Sequence, residues 1–168
     1  MNAQDKVFRE WMKAHVGLLV HVARAFADPA DQNDLLQELM LAVWKAVPAF
    51  RAESSPVTFI HRVAHNRALT WRRRENWLFR RARQGQADLA LFSGNGADPG
   101  GQERVDRLYA AIRTLSSVDR SLMLLSLENV SYGEMAAMHG ISTTNVGVRL
   151  SRARQRVTTL LREEPGHE

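Results

Sequence analysis

Residues 131–154, SYGEMAAMHGISTTNVGVRLSRAR, carry a helix start, a sharp stop and a second helix start in quick succession, and few folds accommodate that order. Ser131, followed three residues later by Glu134, is a capping-box start in which each side chain satisfies a backbone N–H orphaned at a helix N-terminus. Met135, Ala136 and Met138 carry the helix for about two turns, until Gly140 ends it in the left-handed conformation without a Cβ penalty. Ile141 is expected to plug the core under the turn, and Ser142 or Thr143 to cap the next helix. That helix turns Val146, Leu150, Ala153 and Val157 inward at helical spacing. Its outward face is polar and cationic, with Thr143, Thr144, Asn145, Arg149, Arg152, Arg154 and Arg156. Val148 and Ser151 lie beside them. Two helices meeting across a short Gly-containing turn, with donors on the second, form the helix-turn-helix pattern that puts a recognition helix in the DNA major groove. The bland alternative is an ordinary helical hairpin with a solvated basic face. The Ala136, Gly140 and Ile141 spacing argues against it, because close helix crossing needs a small residue, a stop and an apolar plug.

The whole chain narrows the choice. At 168 residues it holds one domain or two small ones, with no room for a large catalytic domain. A net charge of +5, supplied mostly by Arg, favours a polyanionic partner, nucleic acid before a membrane surface. The absence of cysteine excludes disulfides, thiolate zinc sites and a cysteine nucleophile. Charges interrupt the apolar residues of the N-terminus, and no later run approaches the roughly 18 residues of a membrane span. A cytoplasmic protein without membrane insertion is expected. Helix formers dominate and no alternating β-branched run stands out, so the class is all-α: two small helical domains joined by a flexible linker.

In chain order, residues 6–27 repeat Phe8, Trp11, Met12, Leu19, Val22 and Phe26 at three- and four-residue spacing, as an amphipathic core helix does. Asp28 and Pro29 end it. Asp28, Asp31 and Asp34 then suit the N-terminus of a helix running to about Val47, before Pro48. Its inward residues are Leu35, Leu39, Ala42, Val43 and Ala46, leaving Asp34, Gln37, Glu38, Leu41, Trp44 and Lys45 partly exposed. An exposed face that is both apolar and acidic suits a protein partner, although a helical Trp is more often core. Residues 50–55 read as a polar loop and Pro56 as a first-turn proline. In the helix that follows, Phe59, Val63 and Leu69, with Ile60 and Ala64, face the core. Arg62, His65, Asn66, Arg67, Thr70, Trp71, Arg72, Arg73 and Arg74 mix rings, hydrogen-bond groups and charge, as single-stranded nucleic acid requires. His61 and His65 stand one turn apart, a spacing that can bind metal, but no third ligand is evident and no Glu follows the first His.

After Trp77 and the arginines at 80, 81 and 83, the composition turns to Gly, Asp, Ser, Asn and Pro, so a linker is expected over residues 85–102. Leu108, Ile112 and Leu115 mark the next helix. Ser117 or Asp119 starts another, carrying Met123, Leu124 and Leu127. Both are expected to pack under the helix-turn-helix as a four-helix domain, and the tail REEPGHE to add no further domain.

With these residues assembled, the chain resembles a bacterial RNA polymerase sigma factor of the small extracytoplasmic-function type. Such proteins keep only the second and fourth conserved regions. DLLQELMLAVWKAVPAF resembles the helix by which the second region grips the polymerase clamp; TFIHRVAHNRALTWRRR, the element that melts and reads −10; residues 131–154, the −35 reader. The resemblance implies a region 2 domain over residues 1–84 and a region 4 domain over residues 103–168. It puts Asp34, Gln37, Glu38, Leu41, Trp44 and Lys45 at core RNA polymerase. It puts Phe50, Arg51, Ser54 and Ser55, in the loop that captures a flipped base, at −10 promoter DNA with Phe59 and Asn66, whose amide can donate to and accept from a base edge. Arg62, Arg67, Arg72, Arg73 and Arg74 would hold phosphates, with Thr70 and Trp71 alongside. Thr143, Thr144, Asn145, Val148, Arg149, Ser151 and Arg152 fall at −35.

The family implies an anti-sigma factor as second protein partner, no cofactor, and no enzyme activity of its own. The sequence departs from the family at Phe59, where Trp is common, and at Gly147 and Val148, where a basic residue and Ser are common. Gly147 weakens its helix by up to about 1 kcal/mol relative to Ala, and a simple reading is that it lets the backbone approach DNA. The rival readings are a stand-alone helix-turn-helix regulator, which would bind duplex DNA without polymerase, and a helical adaptor, which would bind neither.

Overall fold

The computed structural model describes residues 2–79 and 99–163, side chains excepted at 76–79 and 99. The arginines at 80, 81 and 83, the ring of Trp77 and the last five residues of the tail therefore lie outside the described residues, as does the expected linker up to residue 98. Among the described residues every regular element is a helix. The chain divides into two compact units, Met1–Phe92 and Ser93–Glu168.

The first unit packs three helices pairwise: α1 (Ala3–Phe26), α2 (Gln32–Ala46) and α3 (Pro56–Phe79). α1 begins earlier than its apolar repeat indicates, because Asn2 accepts from the Asp5 N–H at 2.8 Å while the Asp5 carboxylate accepts from the Asn2 N–H at 3.4 Å. One-turn 3-10 helices flank α2 at Pro29–Asp31 and Val47–Ala49, each built around a proline. At the start of α3, Ser55 Oγ accepts from the Thr58 N–H at 3.3 Å.

The core is the meeting of three apolar stripes: Leu18, Leu19, Val22 and Phe26; Leu35, Leu39 and Val43; Ile60, Ala64 and Ala68, all buried. Each fully buried leucine contributes about 1.5–3 kcal/mol of transfer free energy. Ala68 takes the inward position expected of its neighbour Leu69, which is half-buried, as is Val63. His61 and His65 are both buried, and His65 meets Phe26 edge-on at 5.6 Å. Their rings stack at 6.4 Å, and no group of three metal-ligating side chains forms among the described residues.

In the second unit, α7 (Thr143–Glu163) packs on α4 (Pro99–Arg113), α5 (Ser117–Leu127) and α6 (Tyr132–His139). α4 starts inside the stretch expected as linker, taking in residues 99–102. Leu122, Leu124, Leu125, Met135, Val146 and Leu150 are buried, whereas Leu127, expected inward, is 60% exposed at the end of α5. Arg120 is among the most buried side chains of the unit, and its guanidinium donates to the Arg113 and Leu115 carbonyls at 2.8 Å each. It satisfies the carbonyls at the end of α4 and fixes the corner into α5.

Candidate nucleic-acid interface

The loop at residues 50–55 rests on an aromatic platform. Trp11 of α1 meets Phe50 edge-on at 5.2 Å and Phe59 at 5.8 Å, while Phe50 and Phe59 stand 5.1 Å apart. Phe59 is buried, so it supports the loop from below, and Arg62 caps its ring at 5.6 Å. The chain then turns through Ala52, whose φ of 56° is left-handed, leaving Arg51, Ala52 and Glu53 exposed. Ser55 and Ser54 are half-buried, the first engaged as the cap of α3 and the second donating to the Ser55 carbonyl at 3.4 Å.

Along α3, Arg62, Asn66, Thr70, Arg73 and Arg74 are exposed, with Arg67 and Arg72 half-buried. Thr70 returns its hydroxyl to the Asn66 carbonyl at 3.1 Å. Two expectations fail here: Trp71 is only 7% exposed and His65 only 6%, so neither offers a stacking face. Trp71 continues the inward stripe of Ala64 and Ala68, and Arg74 lies over its ring at 5.0 Å.

On α2, Asp34, Gln37, Leu41 and Lys45 are exposed, with Leu41 at 51%. Trp44 is half-buried and tied to α1: its indole N–H donates to Asp5 Oδ1 at 3.0 Å, and Gln4 Nε2 donates to its carbonyl at 2.7 Å. Glu38 faces α3, where its carboxylate pairs with Arg67 and, at 2.7 Å, with Arg74. Burial alone would raise the Glu38 pKa, but the bonds from Arg74 and Arg67 outweigh it and hold the carboxyl below its ordinary range. The Glu38 bond raises Arg74 correspondingly. Residues expected at two different partners are thus joined in one ion cluster.

In the second unit the turn forms as the sequence requires. Ser131 Oγ accepts from the Glu134 N–H at 3.2 Å, Gly140 closes α6 at φ 63°, and Ile141 N–H returns to the Ala136 carbonyl at 3.1 Å. Ser142 is the cap of α7, accepting from the Asn145 N–H at 3.1 Å, and Ile141 is half-buried under the turn. Thr143, Thr144, Asn145, Val148, Ser151 and Arg152 are exposed on α7. Arg149 is different: its Nη1 donates to Asp119 Oδ1 on α5 at 2.7 Å. Gly147 lies toward α6: a Cβ there would meet the Tyr132 ring at 3.6 Å, an ordinary van der Waals contact, so the packing of α6 on α7 leaves room for a side-chain methyl.

The Trp11 platform and the Asp119 contact lie outside the expected site residues. The aromatic spacing of Trp11 was visible, but only as core, and no local signal marks Asp119.

Known proteins match both units in order. The Sigma-70 region 2 model matches residues 11–84, and the Sigma-70 region 4 model residues 106–157. The RNA polymerase sigma factor CnrH of Cupriavidus metallidurans is 27% identical over 95% of this chain and 89% of its own. The ECF RNA polymerase sigma factor SigG of Mycobacterium tuberculosis is 32% identical over 87% of this chain, which spans only 36% of that longer protein. Among solved structures, the sigma factor RpoE in complex with the anti-sigma factor NepR from Bartonella quintana aligns at a TM-score of 0.72. That alignment has 20% identity over 95% of this chain and 99% of the other. CnrH in complex with the cytosolic domain of CnrY aligns at 0.65, also at 20% identity, over 96% and 91%. These two likenesses establish a shared fold.

Proposed function

The chain belongs to the sigma-70 family of RNA polymerase sigma factors, of the extracytoplasmic-function type, and from that premise we propose how its two units share the work. As a sigma factor it directs RNA polymerase in transcription initiation. Residues 1–84 grip core RNA polymerase and open the −10 region, and residues 103–168 read the −35 element.

The observation that carries the first assignment is the outer face of α2, where Leu41 stands 51% exposed among Asp34, Gln37 and Lys45. An apolar side chain ringed by polar ones is the pattern of a protein contact. In the same unit, the loop held by Phe50 and Phe59 and the exposed Asn66 receive the unstacked base, a reading supported by the fixed rings and by an amide open to solvent. Unstacking costs a few kcal/mol per step, offset by stacking and by hydrogen bonds to the flipped base. Arg62, Arg72 and Arg73 neutralise strand phosphates, which makes the contact salt-dependent. On α7, Thr143, Thr144, Asn145, Val148, Arg149, Ser151 and Arg152 face the major groove at −35.

The protein carries out no reaction of its own and works in the cytoplasm; none of its described helices is long and apolar enough to cross a membrane. A regulatory protein that occludes it is the further partner, supported by the two solved neighbours, one bound to the anti-sigma factor NepR and the other to the cytosolic domain of CnrY.

The test is transcription by core RNA polymerase on a library of promoter fragments, with and without the protein. Transcripts that depend on the protein and share −10 and −35 sequences are expected. Duplex DNA binding without polymerase, and no such transcripts, would favour the stand-alone regulator.

A further inference from the structure

We propose that Asp119 is a positioning residue for DNA reading: from α5 it holds the Arg149 guanidinium of α7 in the orientation that meets one base edge. The inference rests on the reading of α7 as the −35 element and names a residue outside the recognition helix that sets its specificity.

The contact is a 2.7 Å bond from Arg149 Nη1 to Asp119 Oδ1, joining residues thirty positions apart. Arg149 remains 37% exposed at its side chain and Asp119 25%, so the pair sits at the rim of the unit and not in its core. A single partly exposed ion pair of this kind is typically worth about 0–1 kcal/mol of stability. What it fixes is direction. A guanidinium is a planar fork with five N–H donors, and one bond to a carboxylate oxygen leaves the others aimed by the first.

Both ends are anchored. The Asp119 backbone is fixed by its N–H bond to the Ser116 cap at 3.2 Å. Arg149 shares its stripe of α7 with Asn145, Val148 and Arg152, all exposed, and is itself half-exposed on the face assigned to the groove. His139 at the end of α6 is also near: burial first, and Arg149 second, disfavour its protonated form. His139 is itself occupied by Ser121 Oγ at 3.0 Å. Asp119 is thus the carboxylate that orients the guanidinium.

Bidentate Arg contacts discriminate among bases because both donors must be aligned, and losing the alignment costs selectivity before it costs affinity. The test uses the full chain assembled with core RNA polymerase, selecting from duplex promoter fragments randomised across the −35 element. Wild type, Asp119→Asn, Asp119→Glu, Arg149→Ala and the Asp119→Asn/Arg149→Ala double variant are compared, with thermal melting to verify folding. The preference at one −35 position should fall roughly tenfold in Asp119→Asn and in Arg149→Ala, the other positions keeping theirs. The double variant should be no worse than Arg149→Ala, and Asp119→Glu should recover part of the preference.

An intact preference in Asp119→Asn overturns the proposal, as does an even loss across all sequences or a loss that persists without Arg149. If Asp119→Asn fails to fold, Asp119→Glu decides: a partial loss of preference confined to the position that Arg149→Ala affects supports the proposal, and an unshifted preference or an even loss overturns it. A wild-type complex that enriches no −35 sequence overturns the reading of α7 together with the proposal, which separates the two failures.

Discussion

Arg74 Nη2 donates to Glu38 Oε1 at 2.7 Å, tying the helix expected to hold the promoter strand to the helix expected to hold polymerase. Arg67 takes the other carboxylate oxygen, so one acid answers two arginines about two turns apart on α3.

The linkage has a sign. The Glu38 carboxyl titrates below its ordinary value of about 4.5 in the folded chain, so its contribution is full above that pH and is lost as pH falls through the lowered value. Urea midpoints followed from pH 6 to pH 3 should fall less steeply in Glu38→Gln than in the wild type. Parallel curves would mean that the cluster does not favour the folded state.

His139 works in the same direction at higher pH. Burial first, and Arg149 second, hold its imidazole below the ordinary 6.5, so the folded unit keeps it neutral while the unfolded chain takes up a proton. Its contribution is full above about pH 6.5 and is lost as pH falls through the lowered value. Melting of the full chain between pH 7.5 and 5 should show this slope, and His139→Gln should flatten it. A slope untouched by the substitution would assign it elsewhere.

Gly147→Ala should stabilise the chain by up to about 1 kcal/mol, because Ala is the better helix former and the added Cβ meets only the Tyr132 ring at ordinary van der Waals distance. A lower denaturation midpoint would contradict the packing described between α6 and α7.

How far the sequence was legible depends on the range of the interaction. The turn of residues 131–154 was readable because Ser131, Gly140 and Ser142 act on backbone groups a few positions away. Trp71 was misassigned as a surface ring although it follows Ala64 and Ala68 in helical phase; small alanines are a faint core signal, and the surrounding arginines masked it. The Glu38 cluster and the Asp119–Arg149 pair span about thirty residues, and only the packing of α2 on α3 and α5 on α7 brings their charges together. Arg120 was invisible for a different reason: a charged side chain is buried only where carbonyls await it, and the Arg113 and Leu115 carbonyls are products of the fold.

Asn66 is exposed on α3, one turn beyond Arg62. Asn66→Ala should cost about 1–3 kcal/mol of discrimination at one −10 base while leaving core polymerase binding unchanged. Transcription from a set of −10 point-mutant promoters reads the difference. The same base ranking in both proteins would remove Asn66 from the pocket.

The most direct measurement is binding of the purified protein to purified core RNA polymerase, alongside a Gln37→Ala/Leu41→Ala variant that alters the outer face of α2 without touching the Glu38 cluster. The wild type should bind and the folded variant should bind at least tenfold more weakly, roughly 1.4 kcal/mol. Equal binding by both would contradict the assignment of α2, and no binding by a folded wild type free of any bound inhibitor would contradict the central claim itself.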